Sequence, residues 1–221
     1  MHRTLVLSAI LLSLCVAGSA FARGVDVDKI NGSIQIESGQ HAGDLSTVNG
    51  SIRIADGASA QKVSTVNGGI DIGDRASADS LETVNGGIQL GAGAKVAKTV
   101  EAVNGSVQLG KGADIVGHVS NVNGRFTLDA AHIGGGIETV GGDIEIGADS
   151  RVERGILVDK QHDWFNWFNW GNRKPRIVIG PHAVVEGTLE FRREVDLFVS
   201  DSAKIGTVTG ATPQKFPGDH P

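Results

Sequence analysis

A short motif of valine or isoleucine, asparagine and glycine recurs along the chain and constrains the fold more than any other feature. The spacing between successive motifs is 18, 18, 18, 19 and 19, and a Gly-Gly variant continues it with a further step of 18. A unit this short cannot bury an apolar side by itself, so consecutive units must stack against each other. The motif asparagines are Asn31, Asn49, Asn67, Asn85, Asn104 and Asn123, and the variant is Gly141-Gly142.

Each motif is followed by a short segment in which two apolar residues flank one variable residue, as in Ile70-Asp71-Ile72. Such alternation predicts a strand with one buried and one solvent-facing side. A corner rich in glycine and alanine comes next, and a second short stretch leads back to the following motif. The first apolar residues of these segments are expected to stack in one interior column: Ile34, Ile52, Ile70, Ile88, Val107, Phe126 and Ile144.

These features predict an all-β, single-stranded parallel β-solenoid of about nine coils. Each motif asparagine is expected to adopt left-handed geometry, and the stacked side chains are expected to form a hydrogen-bonded ladder. Removing residues 161–175 restores the regular spacing, so that Ile177 opens the eighth coil and Leu197 the ninth. The alternative, a series of Asn-Gly β-hairpins, needs more chain per unit than this period provides.

Residues 1–22 predict a secretory signal peptide. A positively charged start precedes an apolar run from Thr4 to Val16, and Ala20-Phe21-Ala22 forms a small-x-small cleavage site. Cys15, the single cysteine, lies inside the apolar run. We therefore expect an exported protein, periplasmic or on the cell surface, with a β-solenoid domain at 23–210 and a flexible, proline-rich tail at 211–221.

The repeats TVNGSIRI and TVNGGIDI resemble the adhesin-type β-strand-repeat family of unknown function. The repeat rhythm and corners such as IGPHAV are also similar to those of bactofilins, which are polymer-forming β-helix proteins. The resemblance covers about residues 30 to 210. It implies a right-handed solenoid and contributes no catalytic residues.

Composition and spacing disfavour several other classes of protein. The net charge of −5 leaves no excess of lysine and arginine to neutralise phosphates, which disfavours nucleic-acid binding. A single cysteine excludes a disulfide scaffold.

Asp71 and Glu145 are four coils apart, too far to share a calcium ion as in a polysaccharide lyase. The histidines occupy varied repeat positions, unlike those of hexapeptide-repeat acyltransferases: His41, His118, His132 and His182. We therefore expect no catalytic residue, cofactor or metal site.

The segment DWFNWFNW at residues 163–170 contains all three tryptophans and interrupts the coil spacing. Three functions are open for it: stacking against sugar rings, insertion into a membrane interface, or anchoring a partner protein. The fourth interpretation is that it packs back onto its own rod, since the outward residues Val178 and Phe198 that follow it are apolar. The candidate binding residues are Trp164, Phe165, Trp167, Phe168 and Trp170.

The sequence therefore predicts an exported, non-enzymatic β-solenoid that acts as a structural or adhesive protein of the cell envelope. The alternative is a carbohydrate-binding or carbohydrate-active β-helix that uses the tryptophan-rich segment. Expected partners are an envelope protein, a glycan or a membrane surface, and no nucleic acid. Charges at residues 23–29 and the prolines of the tail are expected to block the open strand edges, which predicts a monomer or a small oligomer.

Overall fold

The computed structural model describes residues 24–160, 173–218 and 220–221. These residues form twenty-six short strands and no helix, arranged in two parallel sheets. Residues in register are one coil apart in sequence, as in Ile52 beside Ile70 and Ile70 beside Ile88. The predicted parallel β-solenoid is therefore confirmed. The predicted signal peptide lies outside the described residues.

One sheet contains ten strands and carries the interior column predicted from the sequence. Its inward residues from Ile34 to Leu197 are buried, because alternate apolar side chains of these strands point to the interior. The strands are β2 (Ile34–Ile36), β4 (Ile52–Ile54), β6 (Ile70–Ile72), β8 (Ile88–Leu90), β11 (Val107–Leu109), β14 (Arg125–Leu128), β17 (Asp143–Ile146), β20 (Arg176–Ile179), β23 (Asp196–Ser200) and β26 (Gln214–Phe216).

The other sheet contains sixteen strands and divides at β7. In the first coils a single long strand forms this side: β1 (Val25–Asn31), β3 (Ala42–Asn49), β5 (Ser59–Asn67) and β7 (Ser77–Asn85). From the fourth coil it is replaced by two shorter strands, because an extra residue near Lys98 introduces a third corner. One branch is β9 (Lys95–Val96), β12 (Asp114–Ile115), β15 (His132–Ile133), β18 (Arg151–Val152), β21 (Val184–Val185) and β24 (Lys204–Ile205). The other is β10 (Val100–Asn104), β13 (Val119–Asn123), β16 (Ile137–Thr139), β19 (Gly155–Val158), β22 (Thr188–Phe191) and β25 (Val208–Thr209).

The interrupted repeat resumes in the predicted register. Ile144 pairs with Ile177 and Ile146 with Ile179, although the insertion lies between the members of each pair in the chain. The next coil continues this column, with Leu197 beside Ile177. The coil is thus closed around the insertion as if the intervening segment were absent.

The C-terminal segment contributes a strand, although residues 211–221 were expected to be a flexible tail. Gln214–Phe216 form β26, which pairs with β23, and the Phe216 side chain is buried. This strand brings the ten-strand sheet to one member more than the nine coils predicted. The physical reason is that the apolar side chain of Phe216 covers the interior at the end of the last coil, which removes apolar surface from water.

The predicted left-handed geometry of the motif asparagines is wrong. All non-glycine residues with positive φ among those described lie in the opposite corner, after the strands of the ten-strand sheet: Arg75, Ala130, Asp149 and His182. Glycine fills the same turn position in other coils, as at Gly57 and Gly112, with φ of 67° and 71°. The amide of Ala58 bonds to the carbonyl of Ala55 at 3.0 Å, which closes a type II turn.

The motif glycine is required for a different reason, the close approach of neighbouring coils. A Cβ atom on Gly68 would lie 2.0 Å from the carbonyl oxygen of Gly50, and one on Gly86 would lie 1.9 Å from that of Gly68. These contacts are with backbone atoms, which cannot move aside as a side chain would. Any larger residue would therefore force adjacent coils apart.

Candidate functional site

The valine of the repeated motif points outward and forms a continuous apolar line on the sixteen-strand sheet. Val48, Val66, Val84 and Val103 are each 39% exposed, whereas the preceding Thr47, Thr65 and Thr83 are buried. At about 4.8 Å per coil, seven stacked residues extend over about 29 Å. We call this line the valine stripe: Ile30, Val48, Val66, Val84, Val103, Val122 and Val140.

A shallow groove of about 610 Å³ runs beside the valine stripe. Its second wall is the outward column two residues earlier in each strand, which combines hydroxyls with carboxylates: Ser46, Ser64, Glu82, Glu101, Ser120 and Glu138. Lys62 Nζ lies 2.9 Å from Glu82 Oε1, and this hydrogen bond raises the pKa of Lys62 above its ordinary value. The groove therefore presents an apolar wall opposite a polar wall that carries net negative charge.

Buried threonines hold the backbone beneath the stripe. The hydroxyl of Thr65 donates to the carbonyl oxygen of Gly50 at 2.9 Å, and Thr83 donates to Gly68 at 3.0 Å. Each bond joins one coil to the motif glycine of the preceding coil. The inward threonines thus stabilise the spacing at which the outward valines repeat.

The six motif asparagines form a ladder along the edge next to the valine stripe. In each of five steps, the side-chain amide of one asparagine donates to the side-chain oxygen of the asparagine one coil earlier, over 3.0–3.2 Å. The ladder runs from Asn31 to Asn123 and ends there, because Gly141 has no side chain to continue it. Sequence reasoning placed these residues together, and the structure shows their hydrogen bonds.

The described residues just before the insertion lie at the end of the same edge, with Val158 beside Thr139. The five aromatic candidates at 164–170 lie outside the described residues, but the residues at its base are held by ion pairs. Arg192 Nη1 lies 3.3 Å from Asp159 Oδ1 before the insertion, and Arg173 Nη2 lies 2.6 Å from Asp143 Oδ2 after it. Arg193 donates to the carbonyl oxygen of Val140 at 2.9 Å. The two ends of the insertion are therefore anchored to the rod at the end of the valine stripe.

The described residues contain few groupings suited to catalysis. His41 Nδ1 lies 2.6 Å from Ser59 Oγ, but no described carboxylate bonds to the imidazole, so this pair lacks the group that would orient a general base. No cluster of three histidine, cysteine or acidic side chains in the described part of the chain is arranged to hold a metal ion. Asp71 is engaged by Arg53 at 3.9 Å.

His132 links three coils through its two ring nitrogens. Nδ1 lies 2.6 Å from Asp114 Oδ1, and Nε2 lies 3.2 Å from Glu153 Oε1. The hydrogen bond to Asp114 raises the pKa of His132 above its ordinary value of 6.5, Glu153 adds to this, and partial burial opposes it. Arg151, which pairs with both Glu153 and Glu186, extends the network by one coil. Because this network of ion pairs runs from one coil to the next, it indicates a role in joining the coils.

Comparison with known proteins identifies no relative. No family model matches the chain, and neither the curated proteins nor the solved structures include a match. Among the described residues there is also no helix with the length and apolar character needed to cross a membrane.

The valine stripe was not recognised from the sequence, although its signal was present. The motif valine, or isoleucine in the first repeat, occupies a constant position one residue before asparagine. Period-2 alternation from the buried threonine would have placed that valine outside. An apolar residue repeated at an outward position is the pattern that indicates a contact surface.

Proposed function

We propose that this chain is an exported, non-enzymatic β-solenoid that acts as a structural or adhesive protein of the cell envelope, with the valine stripe as its contact surface. The observation that supports this function is the repetition of one outward apolar residue over seven consecutive coils. A periodic surface of this kind suits an extended partner that follows the rod.

The size of the apolar contact sets what such a partner must provide. Burying the exposed part of one stripe valine contributes about 0.5 kcal/mol, because complete burial of a valine contributes about 1.5 kcal/mol. Seven coils together contribute about 3–4 kcal/mol, which is less than the loss of translational and rotational freedom on association. Stable attachment therefore needs polar contacts with the serine and glutamate column as well, or several rods that act together.

Envelope retention tests this proposal. The double variant Val84→Ser/Val103→Ser removes the middle of the stripe, and Gln89→Ser/Gln108→Ser is the matched control on the ten-strand sheet in the same coils. We expect the valine variant to shift from the envelope fraction to the soluble extracellular or periplasmic fraction, while the control stays with the parent. Equal melting temperatures establish that both variants are folded. Retention of the valine variant at the parental level would contradict the proposal.

The second candidate function is carbohydrate binding by the tryptophan-rich insertion. It is favoured by the ion pairs of Asp159 and Arg173, which anchor the two ends of the insertion to the rod. Because Trp164, Trp167 and Trp170 are all the tryptophans of the chain, the whole tryptophan fluorescence reports on this segment. Quenching on titration with cell-wall glycans, lost in the triple alanine variant, would support this function; an unchanged spectrum at all glycan concentrations would exclude it.

We further propose that the rod is a monomer or a small oligomer. At one end, β1 carries Asp26, Asp28 and Lys29, and charges on an edge strand discourage pairing with another chain. At the other end, β26 covers β23 and is flanked by Pro213 and Pro217. Truncation after Gly210 uncovers β23 and should produce filaments visible by light scattering and electron microscopy. Long filaments from the intact chain would contradict the proposal.

A further inference from the structure

Five of the six Asn-Gly pairs are held in the same way by the next coil. In each, the glycine amide donates to the backbone carbonyl oxygen of the following motif asparagine over 2.9–3.1 Å, and the asparagine side-chain oxygen accepts from that asparagine's amide. Both the backbone nitrogen and the side-chain carbonyl group are therefore occupied. The five pairs begin at Asn31, Asn49, Asn67, Asn85 and Asn104.

The sixth pair, Asn123-Gly124, lacks both of these bonds. Among the described residues, the amide of Gly124 donates no hydrogen bond, whereas the amides of the other five motif glycines each donate to a carbonyl oxygen of the next coil. The side-chain oxygen of Asn123 has no ladder donor, because position 141 is a glycine. Within the described part of the chain, the end of the ladder thus leaves these two groups without the hydrogen bonds that hold them in its interior.

The chemistry of an Asn-Gly pair makes this difference consequential. The glycine nitrogen attacks the side-chain carbonyl carbon of asparagine; the new C–N bond forms, the Cγ–Nδ2 bond breaks, and ammonia leaves with the proton from the glycine nitrogen. Water then opens the five-membered succinimide to aspartate or isoaspartate. Over the two steps together, the side-chain amide and one water molecule become a carboxylate and ammonium. Asparagine is thermolabile for this reason, and glycine assists because it lacks a side chain and adopts unusual backbone angles. Gly124 already has a φ of 138°.

We propose that Asn123-Gly124 is a site of spontaneous deamidation in the folded protein, and that stacking protects the other five Asn-Gly pairs. Reaction at an interior pair requires local opening that breaks two hydrogen bonds, each of about 1 kcal/mol. The interior pairs should therefore react about thirty-fold more slowly than Asn123, which corresponds to about 2 kcal/mol.

Deamidation of Asn123 would remove one rung of the ladder. Its amide nitrogen now donates to Asn104 Oδ1 at 3.1 Å, and a carboxylate in its place would bring two acceptor oxygens together. Isoaspartate also lengthens the backbone, which would weaken the bond from Gly105 to the Asn123 carbonyl. Asn104 would then become the new end, so damage is expected to proceed down the ladder from this end.

Solvent exposure predicts a different order of reaction. Asn123 is partly buried, whereas the other five motif asparagines are exposed. If exposure controlled the rate, Asn123 would react last. The ranking of the six sites therefore separates protection by hydrogen bonds from simple accessibility to water.

The experiment is prolonged incubation of the purified protein at mildly alkaline pH, followed by peptide mapping with mass spectrometry to measure aspartate and isoaspartate at each site. We expect Asn123 to be converted about thirty-fold faster than the ladder interior. The same chain unfolded in urea should react at similar rates at all six pairs, since glycine follows each. Equal rates in the folded protein, or faster conversion of Asn31 than of Asn123, would overturn the proposal.

A variant that extends the ladder tests the missing rung directly. Gly141→Asn places a side chain whose Cβ would lie 3.0 Å from Asn123 Oδ1, at a position without positive φ. The added donor should slow conversion of Asn123 about five-fold, the effect of one hydrogen bond. The new Asn-Gly pair is itself restrained, because Gly142 donates to the Thr139 hydroxyl at 3.0 Å. A folded variant with unchanged conversion of Asn123 would exclude the missing rung as the cause.

Discussion

Replacing the motif glycine Gly68 by alanine tests the close stacking of coils most directly. The new Cβ would lie 2.0 Å from the carbonyl oxygen of Gly50, so the coils must separate by about 1 Å to reach a tolerable contact. Three hydrogen bonds of 2.9–3.1 Å join the coils around this point: Thr65 to Gly50, Gly50 to Asn67, and Ile52 to Gly69. Separation on this scale lengthens all three beyond useful range.

The expected cost follows from these bonds. Each contributes about 1 kcal/mol, so their loss costs about 3 kcal/mol. Alanine also restricts the unfolded chain, which offsets about 0.5–1 kcal/mol. Gly68→Ala should therefore lower the free energy of unfolding by about 2–2.5 kcal/mol.

Gly57→Ala provides the matched control in the neighbouring corner. Gly57 has a φ of 67°, and a Cβ there would have no atom within 4 Å, so only backbone conformation opposes the change. Left-handed geometry costs alanine about 1–2 kcal/mol, and the same unfolded-state effect leaves a net loss of about 0–1.5 kcal/mol.

Urea denaturation followed by circular dichroism measures both variants. With a slope of about 2 kcal/mol per molar urea, Gly68→Ala should lower the midpoint by about 1 M and Gly57→Ala by less than about 0.75 M. If Gly68→Ala were no more destabilising than Gly57→Ala, the close approach of the coils would not be the reason for the motif glycine.

Three further substitutions test the interior, the corners and the charge network. Ile70 is fully buried, so Ile70→Asp should cost at least about 4 kcal/mol by burying an unpaired charge; a melting temperature within a few degrees of the parent would contradict the solenoid register. Ala130 has a φ of 44°, so Ala130→Gly should raise the urea midpoint, and an unchanged or lower midpoint would contradict a strained turn. The raised pKa of His132 predicts stability that is fully present below about pH 6.5 and lost as the pH rises through its folded-state pKa. His132→Gln should therefore lower the melting temperature more at about pH 5.5 than at about pH 8.5, and an equal effect at both would exclude the link to Asp114 and Glu153.

The sequence by itself determined the coil and its register. The regular repeat period and the alternation around residues such as Ile70 allow one register that buries every apolar pair, because a slip of one residue turns the set outward. The same rule placed Ile177 beside Ile144 across the insertion. Burial of apolar side chains is strong enough, and local enough in pattern, to be predicted from the chain alone.

Only the tertiary structure decided how residues in neighbouring coils meet. Asparagine's local preference favoured left-handed geometry at Asn67, yet the stacked ladder holds it in an extended strand and left-handed residues lie at Gly57 and Arg75 instead. The sequence likewise shows Asn123-Gly124 as equivalent to the other pairs, yet among the described residues its glycine amide lacks the hydrogen bond to the next coil that the other five make. Such differences arise from distances between atoms that are a full coil apart in the chain, which local conformational preferences do not encode.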